Sequence, residues 1–341
     1  MKILITGANG FIGKNMVAEL HNQGFHHLLT YDRDSGTALL DEYTRVCDFV
    51  FHLAGVNRPE NESDFMSGNY NFTSVLLESL KKHNNASPVL ITSSVQAALE
   101  NPYGKSKKAA EEQVFRYGEN TGVPVYVYRL PNVFGKWCRP DYNSVIATFC
   151  HHIANGQPIT VNDDMAWMNL VYIDDVVASF MDKLKNGKAN HAYPAGYESV
   201  KPVYTIKLGE IASMLYRFKD SRQTLFIPDM SHDFTRKLYA TYLSYLPSGE
   251  LAYPLTMHAD TRGSFTEFLK SYNRGQVSVN VIKPGAVKGN HWHHTKNEKF
   301  LVVSGSGVIR LKNLQEENVV EYLISGEKPE VVDIPVGTVH H

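Results

Sequence analysis

Tyr103 and Lys107 stand four residues apart in Tyr103-Gly104-Lys105-Ser106-Lys107, a spacing that on a helix places both side chains on one face. A phenol with a pKa near ~10 exchanges protons poorly at neutral pH, and a neighbouring ammonium stabilises its phenolate and lowers that value. Such a pair can pass a proton to or from a carbinol or carbonyl oxygen while hydride moves between carbon and a nicotinamide. The apolar run VLITSS ends in Ser93-Ser94, either of which would place a hydroxyl on the same oxygen. Taken alone, Y-x-x-x-K is more often a pair on a helix surface.

A second group of reactive side chains lies near the other end of the chain. In KGNHWHHTKNEKF, His291 and His293 share one face if the segment is a strand, because strand side chains alternate, and His294 points the other way. Glu298 across a turn, and His340 in Pro335-x-Gly337-x-x-His340, can bring a carboxylate and a third imidazole to the same place. Three histidines and one glutamate suit Zn, Mn, Fe or Ni better than Ca or Mg.

These side chains need elements to hold them. The strand KILIT runs into Gly7-Ala8-Asn9-Gly10-Phe11-Ile12-Gly13 and then a helical pattern. In that setting the glycines permit a tight turn, close approach of backbone to a pyrophosphate, and close helix packing, with the phosphates on the helix N-terminus. Phe11 and Ile12 open that helix. About 20 residues further on, Asp32 would hold a ribose 2′-hydroxyl (NAD) and Arg33 would meet a 2′-phosphate (NADP), and the sequence offers both. Up to about residue 190, strand-like runs such as HHLLTY, DFVFHLAG and VPVYVYRL alternate with helical stretches, the pattern of a doubly wound parallel sheet. From about 245 the texture becomes short β-rich runs between Gly, Pro and Asn turns, as in a small sandwich or barrel. SYLPSGELAYP separates the two textures and puts the boundary near residue 247, dividing the chain into 1–247 and 248–341.

Composition narrows the partners. Thirty-four Lys and Arg against 35 Asp and Glu leave a net charge of −1 with no basic block, which argues against nucleic acid. No apolar run is long enough to cross a membrane, and the glycine-broken N-terminus does not read as a signal peptide. Three dispersed cysteines, Cys47, Cys138 and Cys150, form no disulfide framework, so a reducing, cytoplasmic setting is expected.

With these residues in view, positions 1 to about 245 resemble an extended short-chain dehydrogenase/reductase acting on nucleotide sugars. The resemblance rests on TGANGFIG, the LAG of His52-Leu53-Ala54-Gly55 after the fourth strand, Asn69 ahead of Leu76-Leu77-Glu78, the Ser-Tyr-Lys set, RLPNVFG (129–135) and VYIDDVVASF (171–180). It implies a catalytic set of Ser94, Tyr103 and Lys107. It implies cofactor contacts from Gly7, Gly10, Phe11, Ile12, Gly13, Asp32, Arg33, Leu53, Ala54, Gly55 and Asn69, and substrate contacts from Asn132 and Arg139. Only eight residues separate Ser94 from Tyr103, against a family loop of about twenty, and Val95-Gln96 stands where the family's dehydratases carry an Asp-Glu pair, which argues against dehydration.

Residues 250–341 resemble the cupin superfamily. Asp260-Thr261-Arg262-Gly263-Ser264-Phe265 narrows the likeness to cupin epimerases of keto-deoxysugar nucleotides, with His291, His293, Glu298 and His340 as metal ligands, Zn foremost. A cupin continues for several strands past the position of His340, so further chain is expected there. Taken whole, the sequence resembles the family of bifunctional capsular-polysaccharide enzymes that fuse such a reductase to a cupin. That resemblance implies C3 epimerisation of a UDP-linked 4-keto-6-deoxy-N-acetylhexosamine, then C4 reduction with NADPH rather than NADH. The product would be UDP-2-acetamido-2,6-dideoxy-L-talose, on the way to N-acetyl-L-fucosamine. Two other readings stay open: a single-activity enzyme with a structural or dimerising cupin, and an NADP-binding regulator without turnover. Exposed β-edges make a homodimer the expected assembly.

Overall fold

The structure is a computed structural model and describes residues 1–187 and 196–341. It comprises two compact units, Met1–Thr224 with Pro228–Ala252, and Leu225–Ile227 with Tyr253–His341.

The first unit begins β1 (Ile3–Thr6), α1 (Phe11–Asn22), β2 (Leu28–Tyr31), α2 (Thr37–Val46) and β3 (Phe49–His52). A short helical turn α3 (Ser63–Phe65) leads through a π-turn (Met66–Asn71) into α4 (Phe72–Lys82) and β4 (Val89–Ser94). A 3₁₀ turn (Val95–Ala98), α5 (Pro102–Thr121) and β5 (Val125–Leu130) follow. The next elements are β6 (Asn132–Phe134), α6 (Val145–Ala154), β7 (Trp167–Tyr172), α7 (Ile173–Asn186), β8 (Tyr197–Glu198), β9 (Tyr204–Lys207), α8 (Leu208–Thr224) and α9 (Asp233–Leu243).

Among the described residues six strands form a parallel sheet in the order β2-β1-β3-β4-β5-β8. Their apolar runs are continuous because helices cover both faces. Alternate residues confirm it: Ile3, Ile5, Phe49, Phe51, Tyr126 and Tyr128 pack with α1 and α7. Leu4, Val50, Val125 and Val127 pack with α2, α4 and α5 on the other face. The strand order reverses between β1 and β3, which opens a crevice at their C-terminal ends. The Leu53-Ala54-Gly55 segment follows the third strand, not the fourth, because only α2 separates β2 from β3. Near this sheet, β6, β7 and β9 form a small second sheet whose core is Phe134, Phe149, Leu215, Phe218 and Tyr242.

The second unit is all β, a jelly-roll-like arrangement of antiparallel strands: β10 (Met257–Asp260), β11 (Gly263–Ser271), β12 (Gly275–Ile282), β13 (Glu298–Leu301), β14 (Ser306–Asn313), β15 (Val319–Ser325), β16 (Val331–Ile334) and β17 (Thr338–His340). Its core is small, with Ile309, Leu311, Val332 and Ile334 buried against Phe300 and Ile324. The fold class expected from the sequence, a Rossmann-type doubly wound domain followed by an all-β domain, is the one observed.

Candidate functional site

The glycine loop closes tightly over the end of β1. Gly7 has φ +72, and a Cβ there would lie 2.7 Å from the Ala54 nitrogen; one at Gly13 would lie 2.1 Å from the Gly7 oxygen. Gly10 is the N-cap residue of α1, and no side chain caps the helix, so its first N–H groups are left for an anion. Phe11 and Ile12 pack partly buried on the sheet. The Asp32 carboxylate accepts the Asn9 N–H at 3.0 and 3.2 Å and so braces the loop, while Arg33 is exposed beside it. These features fit a dinucleotide phosphate.

Ser94 ends β4 and Tyr103 and Lys107 lie on the first turns of α5. The eight-residue connection is taut. Asn101 accepts the Gly104 N–H at 2.7 Å as N-cap, and Pro102 occupies the first turn. A Cβ at Gly104 would come within 2.3 Å of the Gln96 oxygen and 2.5 Å of the Leu99 oxygen, so only glycine lets the 3₁₀ turn lie against the helix there. The two serines part company. Ser93 is buried and donates to Glu111 at 2.5 Å, whereas Ser94 is half-buried, accepts the Gln96 N–H at 3.1 Å and lies beside the Tyr103 phenol. Lys107 Nζ lies 6.0 Å from the Tyr103 ring centre and donates to the Thr92 carbonyl at 3.2 Å. The Phe65 ring stands 5.7 Å from that of Tyr103.

Burial raises the Tyr103 phenol above its ordinary value, and the neighbouring Ser94 hydroxyl offsets part of that rise. The lowering expected from Lys107 is not what dominates, because the phenol loses water while the ammonium is directed to Thr92. Burial drives Lys107 down to about 8, opposed by the Glu111 carboxylate one turn on. Glu111 is itself fully buried and is matched by Arg129, at 3.0 Å from Nε and 2.7 Å from Nη2. The sequence reading missed this pair, although Lys107 and Glu111 stand at helical spacing.

Gly55 faces the lysine: a Cβ there would lie 2.8 Å from Lys107 Nζ. Leu53 donates to the Thr6 carbonyl at 3.0 Å, keeping the Leu53-Ala54-Gly55 segment beside the glycine loop. Asn69 is buried in the π-turn, and both its amide hydrogens go to protein partners, Val56 O at 3.1 Å and Ser106 Oγ at 2.9 Å. Its place is that of a brace. Asn132 opens β6 with its side chain exposed, and the Arg139 guanidinium lies 5.3 Å from the Tyr142 ring centre. Among the described residues no hydrogen bond ties either to the Ser94, Tyr103 and Lys107 group.

In the second unit, ligand atoms of His291, His293, Glu298 and His340 all lie within 4.8 Å of one another. The His291–His293 stretch is not a regular strand. The backbone at Gly289 (φ +114) and Asn290 (φ +62) breaks it, leaving a single bridge between His291 and His340. The Lys296 ammonium takes Glu298 Oε1 at 2.6 Å, while Oε2 faces His293 and His340 at 3.4 and 3.2 Å. Among the described residues His293 Nε2 and Glu298 Oε2 are buried with no hydrogen-bond partner, a costly arrangement that a shared divalent cation would relieve. His294 instead packs on Trp292.

A parallel sheet with its switch point at an uncapped glycine loop, and a serine, tyrosine and lysine gathered at the next strand end, defines a nucleotide-dependent enzyme of the short-chain dehydrogenase/reductase class. The chain belongs to the NAD dependent epimerase/dehydratase family, whose model matches residues 3–196. Residues 258–341 match the polysaccharide biosynthesis C-terminal domain. A UDP-2-acetamido-2,6-beta-L-arabino-hexul-4-ose reductase of Pseudomonas aeruginosa is 46% identical over 100% of this chain and 90% of its own. The crystal structure of the capsular polysaccharide assembling protein CapF from Staphylococcus aureus superposes with a TM-score of 0.93 at 48% identity, covering 100% of this chain and 91% of that one. The expected kinship with capsular-polysaccharide enzymes therefore holds over the whole chain. A Bacillus cereus UDP-glucuronic acid 4-epimerase shares the fold of the first unit at 20% identity and TM-score 0.60, over 72% of this chain and 98% of its own.

Proposed function

We propose that the chain is a bifunctional nucleotide-sugar enzyme. Its second unit epimerises a UDP-2-acetamido-2,6-dideoxy-4-keto-hexose at C3, and its first unit reduces the C4 ketone to UDP-2-acetamido-2,6-dideoxy-L-talose, a precursor of capsular N-acetyl-L-fucosamine. The carrying observation is the Ser94 hydroxyl, Tyr103 phenol and Lys107 ammonium grouped at the end of β4 beside the glycine loop. The substrate is taken from the reductase relative's name.

NADPH, when bound, supplies the hydride to C4. Ser94 donates a hydrogen bond to the ketone oxygen and holds it near Tyr103. As negative charge develops on that oxygen, the phenol proton moves to it, and Lys107 stabilises the phenolate left behind. One Lys107 proton is held by the Thr92 carbonyl, which fixes the direction of the other two. In the second unit, His291, His293, Glu298 and His340 would hold a divalent metal, Zn by preference, that cross-links three separate stretches of chain.

That cross-linking favours a second reading, in which the metal unit is structural and the chain reduces a substrate already epimerised. Incubation with UDP-4-keto-6-deoxy-GlcNAc in D2O, with and without NADPH and read by NMR, separates the possibilities. Deuterium at C3 without cofactor and a reduced C4 with it support the bifunctional proposal. Reduction without exchange supports the second reading, and no NADPH oxidation at all removes both in favour of a binding protein.

A further inference from the structure

His52, at the end of β3, is almost completely buried and takes no part in the steps above. Its Nδ1 lies 2.7 Å from Thr6 Oγ1 and its Nε2 lies 2.9 Å from Thr73 Oγ1. The neighbours settle which nitrogen carries the proton. Thr73 has one hydroxyl hydrogen, and it goes to the Asn69 carbonyl at 2.6 Å, so Thr73 can only accept from His52. Nε2 is therefore the N–H. Nδ1 then presents its lone pair to the Thr6 hydroxyl, whose oxygen in turn receives the Ala54 N–H at 3.4 Å. The opposite tautomer would set two lone pairs against each other at the Thr73 end. A charged imidazolium would lie without water and within the field of Lys107, and both effects push the ring's pKa down to about 3.

The result is a chain of hydrogen bonds running one way, from Ala54 N–H through Thr6, His52 and Thr73 to the carbonyl of Asn69. Asn69 then grips Val56 through two bonds of 2.9 and 3.1 Å and Ser106 through one of 2.9 Å. The chain thus returns to the loop it left, two residues further on, and ties that loop to the helix carrying Tyr103 and Lys107. Gly55, between the two anchor points, faces the lysine ammonium, and a Cβ there would lie 2.8 Å from Lys107 Nζ.

We propose that His52 is a positioning residue for reduction: as a neutral ring protonated on Nε2, it sets the distance between the cofactor-side loop 54–56 and the catalytic pair on α5. A leucine fills similar space but neither accepts nor donates, whereas a glutamine amide does both. This inference rests on the reductase reading, so its test has an arm free of turnover. In full-length protein labelled with ¹⁵N-histidine, the signal lost in His52→Gln should show a protonated Nε2 and a bare Nδ1, unchanged between pH ~5 and ~9. A protonated Nδ1, or titration within that range, overturns the proposal. In the turnover arm, His52→Leu should lower kcat roughly tenfold or more while the KM for the sugar nucleotide moves less than about threefold, and His52→Gln should recover most of the loss. Equal loss in both variants, or a loss confined to the sugar KM, overturns it. If wild-type protein quenches NADPH fluorescence on binding yet reduces no 4-keto sugar, the reductase reading fails. The tautomer signal, together with a weaker NADPH Kd in His52→Leu than in His52→Gln, then decides on His52 alone.

Discussion

At the scale of residues, the acidities of the proposed reactive pair, Tyr103 and Lys107, are set first by burial and only then by neighbouring groups. Tyr103 must start protonated to act as an acid, and burial keeps it so across the neutral range. Tyr103→Phe should therefore reduce the rate of NADPH oxidation with the keto sugar more than ~100-fold with little change in melting temperature, as measured spectrophotometrically and by calorimetry. Lys107 is an ammonium below its pKa of about 8 and an amine above it. Loss of that cation beside the phenol should make kcat/KM fall as pH rises through about 8. The Glu111 carboxylate raises the lysine's value, so Glu111→Gln should move this alkaline limb to lower pH; an unmoved limb would assign it to another group. The linkage sign is opposite to that of a salt-bridged lysine. Between about 8 and the ordinary 10.5 the unfolded chain binds more protons than the folded one, so stability should rise with pH across that window, and Lys107→Met should flatten the slope. Arg129→Ala leaves the fully buried Glu111 carboxylate without its guanidinium and should cost roughly 3–5 kcal/mol in denaturant titration.

At the scale of elements, the short link between β4 and α5 decides whether the reactive residues meet. A 3₁₀ turn, an Asn101 cap and a proline bring Tyr103 back over Ser94 within eight residues, at the cost of a backbone approach that only Gly104 tolerates. A methyl at Gly104 meets two backbone carbonyls that cannot swing aside, so Gly104→Ala should lower both kcat and the melting temperature, while Gly122→Ala at the helix's other end should affect stability alone. Unchanged kcat in Gly104→Ala would show that the link is slack. The same local constraint explains why the choice between Ser93 and Ser94 could not be made from sequence. Adjacent strand residues face opposite ways, and which one faces the phenol depends on where α5 lies, with the Glu111 carboxylate accepting from Ser93.

At the scale of the whole molecule, each unit has its own core and its own candidate ligand. The first has three apolar clusters spread over two sheets, the second one small cluster of four buried residues. A cation shared by His291, His293, Glu298 and His340 should therefore matter more to the second unit than NADPH does to the first. In calorimetry of the full chain, chelation should lower one transition by several degrees and leave the other in place, while NADPH at 100 times its Kd should add about 2.7 kcal/mol to the other. Chelation that leaves both transitions in place would leave the histidine cluster without its proposed occupant. His340→Ala should reduce bound metal to near zero by elemental analysis.

Local pattern was enough to read the alternation of strands and helices in the first unit, the β texture of the second, the glycine loop, the four-residue step from Tyr103 to Lys107 and the group of candidate metal ligands. Each is a matter of spacing along one element or of residue type at a turn, and short-range geometry fixes such features. The folded chain alone decided which serine faces the phenol, that burial rather than Lys107 dominates the Tyr103 pKa, and that Asn69 and His52 brace the loop against α5. Those outcomes depend on contacts between residues far apart in sequence, such as Thr6 with His52 and Ser93 with Glu111. Desolvation and hydrogen-bond direction arise only once such partners are brought together, and no periodicity along the chain encodes them.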